Sequence, residues 1–180
     1  MKIYAIRHSI TPLNQERLLN AQIDEPLAPE GIEHAKKAVL PKSVKHIHTS
    51  SLQRTKQTAD IVNSEAKLPI STHDELKEVH MGSLAGKSWD DLNTSDLKQK
   101  HYALEYDYRP FGGESVQEVK TRLKKFLQQI NNTQGDFELL IVTHGGIIRL
   151  LHFLEHGETR KDIAQVSFEV FDLDKILESL

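Results

Sequence analysis

Leu139-Leu140-Ile141-Val142-Thr143-His144-Gly145-Gly146 decides the fold. Four uninterrupted apolar residues make a strand buried on both faces, as the strands of a parallel sheet are. The two glycines turn that strand into a helical pattern at 147–156. A buried strand feeding a helix is one half of a βαβ unit, and further halves lie on either side. Short β-rich runs occupy 2–6, 44–49, 69–73 and 166–173. Between them lie a helical pattern opened by Pro29 and running to about residue 40, and one over 52–64 capped by Ser50 or Ser51. A long one starts at Glu114 and ends near 131–135, with Val116, Val119, Leu123, Phe126, Leu127 and Ile130 at helical spacing. Right-handed crossovers then give an α/β fold: a three-layer sandwich with a mostly parallel central sheet and helices on both faces. Residues 75–113, with Gly82, Gly86, Trp89, a short helical pattern at 90–100 and Pro110-Phe111-Gly112-Gly113, break the alternation. They are expected to form a partly helical excursion over the site.

Composition bounds the function. The chain has 180 residues, 38% hydrophobic, with 23 Lys and Arg against 26 Asp and Glu, a net charge of -3 and no Cys. A chain of this length buries roughly 70% of its unfolded surface, so one core suffices. With no repeat and no linker, 1–180 is expected to be a single domain. The missing cysteines exclude disulfides, thiol catalysis and thiolate metal sites. Near-balanced charge gives no global attraction to nucleic acid or to a membrane, so neither is an expected partner. Apolar runs of four residues are too short to span a bilayer. The run at 3–6, closed by Arg7, is too short for a secretory signal, and a cytoplasmic location is expected. Ten histidines are the unusual feature.

In open α/β sheets, ligands sit outside the carboxyl ends of the strands. Three of the expected strands end in one kind of chemistry. The first delivers Arg7-His8, the second Ser50 with Arg54 a helical turn later, and the fourth His144-Gly145-Gly146. Alone, an Arg-His pair is a surface strand end and His-Gly-Gly a turn. Together at one sheet edge, two imidazoles, two guanidiniums, a hydroxyl and helix N-terminal amides make an anion pocket, and phosphate fits best.

The residues around these strand ends carry a resemblance. Arg7-His8-Ser9-Ile10-Thr11-Pro12-Leu13-Asn14 resembles the Arg-His-Gly-x-Thr-x-x-Asn signature of the histidine phosphatase superfamily, the phosphoglycerate mutase-like fold. In order along the chain, Asp24-Glu25-Pro26-Leu27 with Gly31 and Ala35 follows that family's pattern. So do Ser50-Ser51-Leu52-Gln53-Arg54-Thr55-Lys56-Gln57-Thr58-Ala59, Leu76-Lys77-Glu78 with Gly82 and Gly86, Gly112-Gly113-Glu114-Ser115, and Val142-Thr143-His144-Gly145-Gly146-Ile147-Ile148-Arg149. The chain departs from the pattern at Ser9, where members have Gly, and at Asn20-Ala21, where Gln-Gly is common. A side chain at position 9 is expected either to crowd the pocket or to add a hydroxyl to it.

The resemblance implies a phosphohistidine mechanism with His8 as nucleophile. Arg7, Arg54 and a protonated His144 would gather the phosphoryl oxygens, and Glu78 would act as general acid and then as base. Cations beside His8 keep its imidazole neutral and therefore nucleophilic. Asn14 and Thr11 are expected to support the phosphate loop, with Ser9, Ser50 and Gly145 as further contacts. No metal and no cofactor is implied, and the partner is a small phosphorylated metabolite; no oligomeric state is assigned. The short chain is similar in style to the α-ribazole phosphatase and broad-specificity phosphatase branch. A mutase-type phosphoryl transferase is the alternative, disfavoured because Val79-His80-Met81-Gly82 stands where mutases carry Arg-His-Tyr-Gly. A degenerate, non-catalytic binder is a third possibility. Lys87, His101 and Arg109 are the excursion's candidate contacts. His152-Phe153-Leu154-Glu155-His156 matches a zinc-peptidase pattern but leaves only 24 residues for a third ligand. His46 and His48 share a strand face with no third ligand in view. Neither a Gly-x-x-x-x-Gly-Lys-Ser/Thr loop nor Gly-x-Gly-x-x-Gly occurs.

Overall fold

A computed structural model describes residues 1–92, 95–133, 135 and 137–180. The strands β1 (Lys2–Arg7), β2 (Val44–Ser50), β3 (Ile70–His73), β4 (Glu138–Thr143) and β5 (Glu169–Asp172) form one sheet in the order β3-β2-β4-β1-β5. The first four are mutually parallel, and β5 closes the edge antiparallel to β1. The helices are α1 (Pro12–Gln15), α2 (Pro29–Ala35), α3 (Gln53–Val62), α4 (Ser95–Ala103), α5 (Val116–Thr133), α6 (Gly145–His156) and α7 (Leu173–Glu178). This is the expected α/β architecture.

Alternation along the central strands divides the core in two, because successive side chains leave a strand on opposite faces. Ile3, Ala5, Leu139 and Ile141 pack with Val119, Leu123, Phe126 and Leu127 of α5, with α6 and with Ile176 of α7. Ile6, Leu140 and Val142 point the other way, onto Ala59 and Val62 of α3. An uninterrupted apolar strand is therefore what a two-sided sheet requires, and β4 is buried from Leu139 to Thr143. Among the described residues no helix is long and apolar enough to cross a membrane.

Several boundaries differ from expectation. α2 stops at Ala35 rather than near residue 40; the chain then runs through a turn to Pro41. Neither serine caps α3. Its N-cap is Leu52, with Ser50 the last residue of β2 and the Ser51 hydroxyl bonded to Asp74. The last strand begins at Glu169, not 166, because Val166 sits at φ 54°, a left-handed conformation that extended strands do not use. The helix in the excursion runs Ser95–Ala103, and positions 93 and 94 of the expected helix lie outside the described residues. So do Gln134 and Asp136 beyond α5. The short α1 and α7 had no counterpart in the sequence pattern.

Candidate active site

Parallel pairing aligns the strand ends. Arg7 is registered with Thr143 and Thr49 with Val142, so His8, Ser50 and His144 arrive at one edge of the sheet. The His8 and His144 rings meet edge to face, 5.2 Å between centroids. A cavity of about 630 Å³ opens there, its wall including Arg7, His8, Asn14, Glu78, Gly145, Gly146 and Arg149.

His8 is 2% exposed. Its Nδ1 donates to the carbonyl of Ser9 at 2.7 Å, which places the ring proton on Nδ1 and leaves Nε2 as a lone-pair nitrogen. Burial, followed by the charges of Arg54 and Arg7, holds its pKa well below the ordinary imidazole value, so His8 is neutral at physiological pH.

His144 was expected as a cation, and the structure corrects this for the unliganded protein. Burial, then Arg54, hold its pKa well below the ordinary value, and the ring is neutral. Its Nε2 lies 2.9 Å from the Ser50 hydroxyl, which already accepts from the Leu52 amide. The assignment that satisfies both groups has Ser50 O–H donating to Nε2 and the ring proton on Nδ1. The serine acts on the imidazole and forms no part of the cavity wall.

Three buried donors stand out. Arg7 Nε, Arg54 Nε and His144 Nδ1 have no hydrogen-bond partner, half of the six such buried side-chain atoms among the described residues. Buried donors are nearly always satisfied, so three unmatched ones on cationic or imidazole groups are capacity the fold itself leaves unused. The other Arg7 contact is Nη1 to the Ile163 carbonyl at 3.0 Å. Arg54 is fully buried, and neither it nor His144 is part of the wall. Its Nη1 and Nη2 donate to the carbonyls of Ile23 and Ala21 at 2.6 and 2.7 Å. Ala21, where family members commonly have Gly, adopts φ 42° beneath this clamp.

Glu78 reaches the cavity from the excursion. Its Oε1 accepts from the Val79 amide at 2.9 Å and its Oε2 from Gly146, in the first turn of α6, at 3.2 Å. A Cβ at position 146 would lie 2.4 Å from Oε1, so any side chain there would push the carboxylate from this position. Thr11 caps α1 in a reciprocal box with Asn14 and accepts from Asn20; of these three, Asn14 and Asn20 line the cavity. Gly145 lines it against Arg7. Ser9 does not. Its hydroxyl turns away to His34 Nδ1 at 3.3 Å and its amide donates to Thr58, so the side chain neither crowds the pocket nor adds to it.

Of the rest of the wall the sequence singled out His101 as a contact, and Arg149 stood in a quoted motif without a role. Arg149 lies one helical turn after Gly145, a spacing that places both on one face and was a usable signal. It donates to the carbonyls of Arg160 and Lys161, stands 4.8 Å over the Tyr102 ring and approaches His101. Of the excursion's three candidates, His101 lines the cavity with Trp89 and Tyr102, its pKa pushed down to about 3 by burial and Arg149. Lys87 and Arg109 do not, and Arg109 pairs with Asp107. Residues 160–165 also line the cavity, and no sequence pattern marked them. The rival metal motifs are occupied otherwise: His152 pairs with Glu169, and His48 Nδ1 meets His73 Nε2 at 2.9 Å. Among the described residues no group of three His, Asp or Glu side chains is arranged to hold a metal ion.

Fold and site define an α/β protein with a histidine- and arginine-lined pocket at the carboxyl edge of a parallel sheet. The chain belongs to the histidine phosphatase superfamily, branch 1, whose family model matches residues 3–171. Members of that superfamily are phosphatases or mutases. The chain is 32% identical to a probable phosphoglycerate mutase of Photorhabdus laumondii over 81% of its own length and 70% of the relative's. It is 29% identical to a phosphoglycerate mutase-like protein of Arabidopsis thaliana, over 97% and 81%. Among solved structures, the α-ribazole phosphatase of Shigella flexneri superposes with a TM-score of 0.76 at 25% identity, covering 96% of this chain and 90% of that one. A Thermus thermophilus protein gives 0.77 at 27%, over 96% and 94%.

Proposed function

We propose that the protein is a metal-independent phosphatase that hydrolyses small phosphate monoesters through a phosphohistidine on His8. The observation that carries this is the set of unmatched donors, Arg7 Nε, Arg54 Nε and His144 Nδ1, around a neutral imidazole whose tautomer is fixed. His8 Nε2 attacks phosphorus in line with the ester oxygen, and the P–O bond to the leaving group breaks. The guanidiniums meet the charge on the phosphoryl oxygens, the role a metal would otherwise fill. His144, neutral when the pocket is empty, can take up a proton with the incoming dianion and become a third cation. Glu78 hands its proton to the departing alkoxide, then removes one from water as that water attacks the phosphohistidine and frees inorganic phosphate. The α-ribazole phosphatase neighbour supports hydrolysis as the outcome, whereas the relatives named as mutases favour transfer to a second acceptor.

The test is to denature the enzyme during turnover of a labelled phosphomonoester, with EDTA present. Acid-labile, base-stable label is expected on the wild type and not on His8→Ala. Label on a hydroxyl residue, or activity abolished by EDTA and restored by a divalent ion, overturns the proposal.

A further inference from the structure

The Gly112-Gly113-Glu114-Ser115 stretch forms no part of the cavity wall, yet it packs behind the segment that carries Glu78. The Glu114 amide donates to the His80 carbonyl at 2.8 Å, and Glu114 Oε2 accepts from the His80 amide at 2.9 Å. Main chain and side chain of one residue thus hold both sides of His80. Glycine at 113 makes the approach possible, since a Cβ there would stand 2.3 Å from the His80 carbonyl oxygen. The same carboxylate forms a two-point pair with Arg122 of α5, Nε to Oε1 at 2.9 Å and Nη2 to Oε2 at 3.1 Å. Arg122 turns its remaining donors onto the acid's own segment, Nη1 to the Glu75 carbonyl at 2.6 Å and Nη2 to the Glu78 carbonyl at 3.2 Å. The pair is only 16% and 21% exposed, so water screens it less than a surface ion pair.

We propose that Glu114 and Arg122 are positioning residues for Glu78. Residues 77–81 have no regular secondary structure of their own. Arg122 passes to them the rigidity of α5, which is anchored in the core by Leu123 and Phe126 on the neighbouring turn, and Glu114 fixes the far side at His80. The Glu78 carboxyl then projects from a main chain gripped at Glu75, Glu78 and His80. A displacement of about 1 Å in such a group costs on the order of 10²-fold in rate. This inference rests on Glu78 being the general acid of the proposed phosphatase.

The experiment compares kcat/KM on n-butyl phosphate, whose alkoxide needs a proton to leave, with p-nitrophenyl phosphate, whose phenolate does not. Glu78→Gln supplies the reference pattern, selective loss on the alkyl ester. Arg122→Ala and Glu114→Gln are expected to repeat it in kcat/KM, which excludes the dephosphorylation step common to both esters, with losses of about 10- to 10²-fold on the butyl ester and little change on the aryl ester. Added to Glu78→Gln, either change is expected to cost nothing further on the butyl ester. Retained aryl activity certifies the fold of each variant, and Glu114→Gln, which preserves shape, decides the matter if Arg122→Ala fails to fold. Equal losses on both esters, or unchanged rates with lowered thermal stability, overturn the positioning role while Glu78→Gln remains selective. A non-selective Glu78→Gln removes the acid assignment, and the positioning role with it.

Discussion

Arg54 serves two masters at the scale of a single side chain. It donates to the carbonyls of Ala21 and Ile23, and its Nε is one of the three unmatched donors beside His8. Arg54→Ala is expected to cost roughly 3 to 4 kcal/mol of transition-state stabilisation, about 10² to 10³ in kcat/KM, with partial rescue by Lys, which lacks the planar fork. Because the loop at 21–23 loses its clamp, thermal stability is expected to fall as well. Wild-type kcat/KM in Arg54→Ala would remove this guanidinium from the phosphate site. Ser9 makes the opposite case. Its identity was legible and its direction was not, because rotamer and backbone dihedrals decide whether a side chain at a strand end faces the ligand or the neighbouring helix. With the hydroxyl turned to His34, Ser9→Gly is expected to leave KM for p-nitrophenyl phosphate unchanged, and a clearly lowered KM would show that the hydroxyl obstructs the pocket after all.

At the scale of elements, short apolar and β-rich runs located the five described strands and the period-3.6 pattern the major helices, and with them His8, Ser50 and His144. Cross-strand neighbours were another matter, since register between distant strands is not written in either strand. β2 shows this. The sequence placed His46 and His48 on one face, and only pairing with β3 supplies His73, 2.9 Å from His48, with the His46 and His48 rings stacked at 4.5 Å. Burial, then His46 and His73, push the pKa of His48 down to about 3, and burial also lowers those of His46 and His73, the latter partly offset by Glu75. The sign follows from linkage. Above about pH 6.5 both folded and unfolded His48 are neutral and its contribution is complete. Between there and pH 3 only the unfolded chain binds the proton, so stability declines as pH falls, by about 1.4 kcal/mol per pH unit for one group. Urea midpoints measured from pH 7.5 to pH 4 are expected to show this decline, and His48→Leu is expected to make it shallower. An identical slope in the variant would mean that His48 protonates as readily in the native protein as in the unfolded chain.

Over the whole molecule, the His8 side of the cavity comes from strand ends and the loop that follows β1, and the rest from the excursion and residues 160–165, which is why the first was legible and, Glu78 and His101 apart, the second was not. Strand-end chemistry follows from a short-range pattern plus one topological rule. The far wall depends on how irregular segments fold back, as when Arg149 draws in the carbonyls of Arg160 and Lys161. That division bears on the choice between hydrolysis and transfer. A mutase must hold the phosphoglycerate while the phosphohistidine passes its phosphoryl group to the free hydroxyl, and then hold the bisphosphate until the other phosphoryl group returns to the histidine, which calls for groups that hold a carboxylate beside Glu78. Here the residues that follow Glu78 bring buried Val79 and Met81 to the cavity wall, and the intervening His80 is tied back to Glu114. Apolar groups at these two places give a carboxylate no partner and oppose its desolvation. With 3-phosphoglycerate as substrate and bisphosphoglycerate as primer, followed by ³¹P NMR, inorganic phosphate is expected to accumulate ahead of 2-phosphoglycerate. Met81→Tyr with Val79→Arg is expected to shift the partition toward 2-phosphoglycerate by supplying the missing donors. Rapid interconversion by the unaltered protein, with phosphate release only a minor branch, would assign the site to phosphoryl transfer instead.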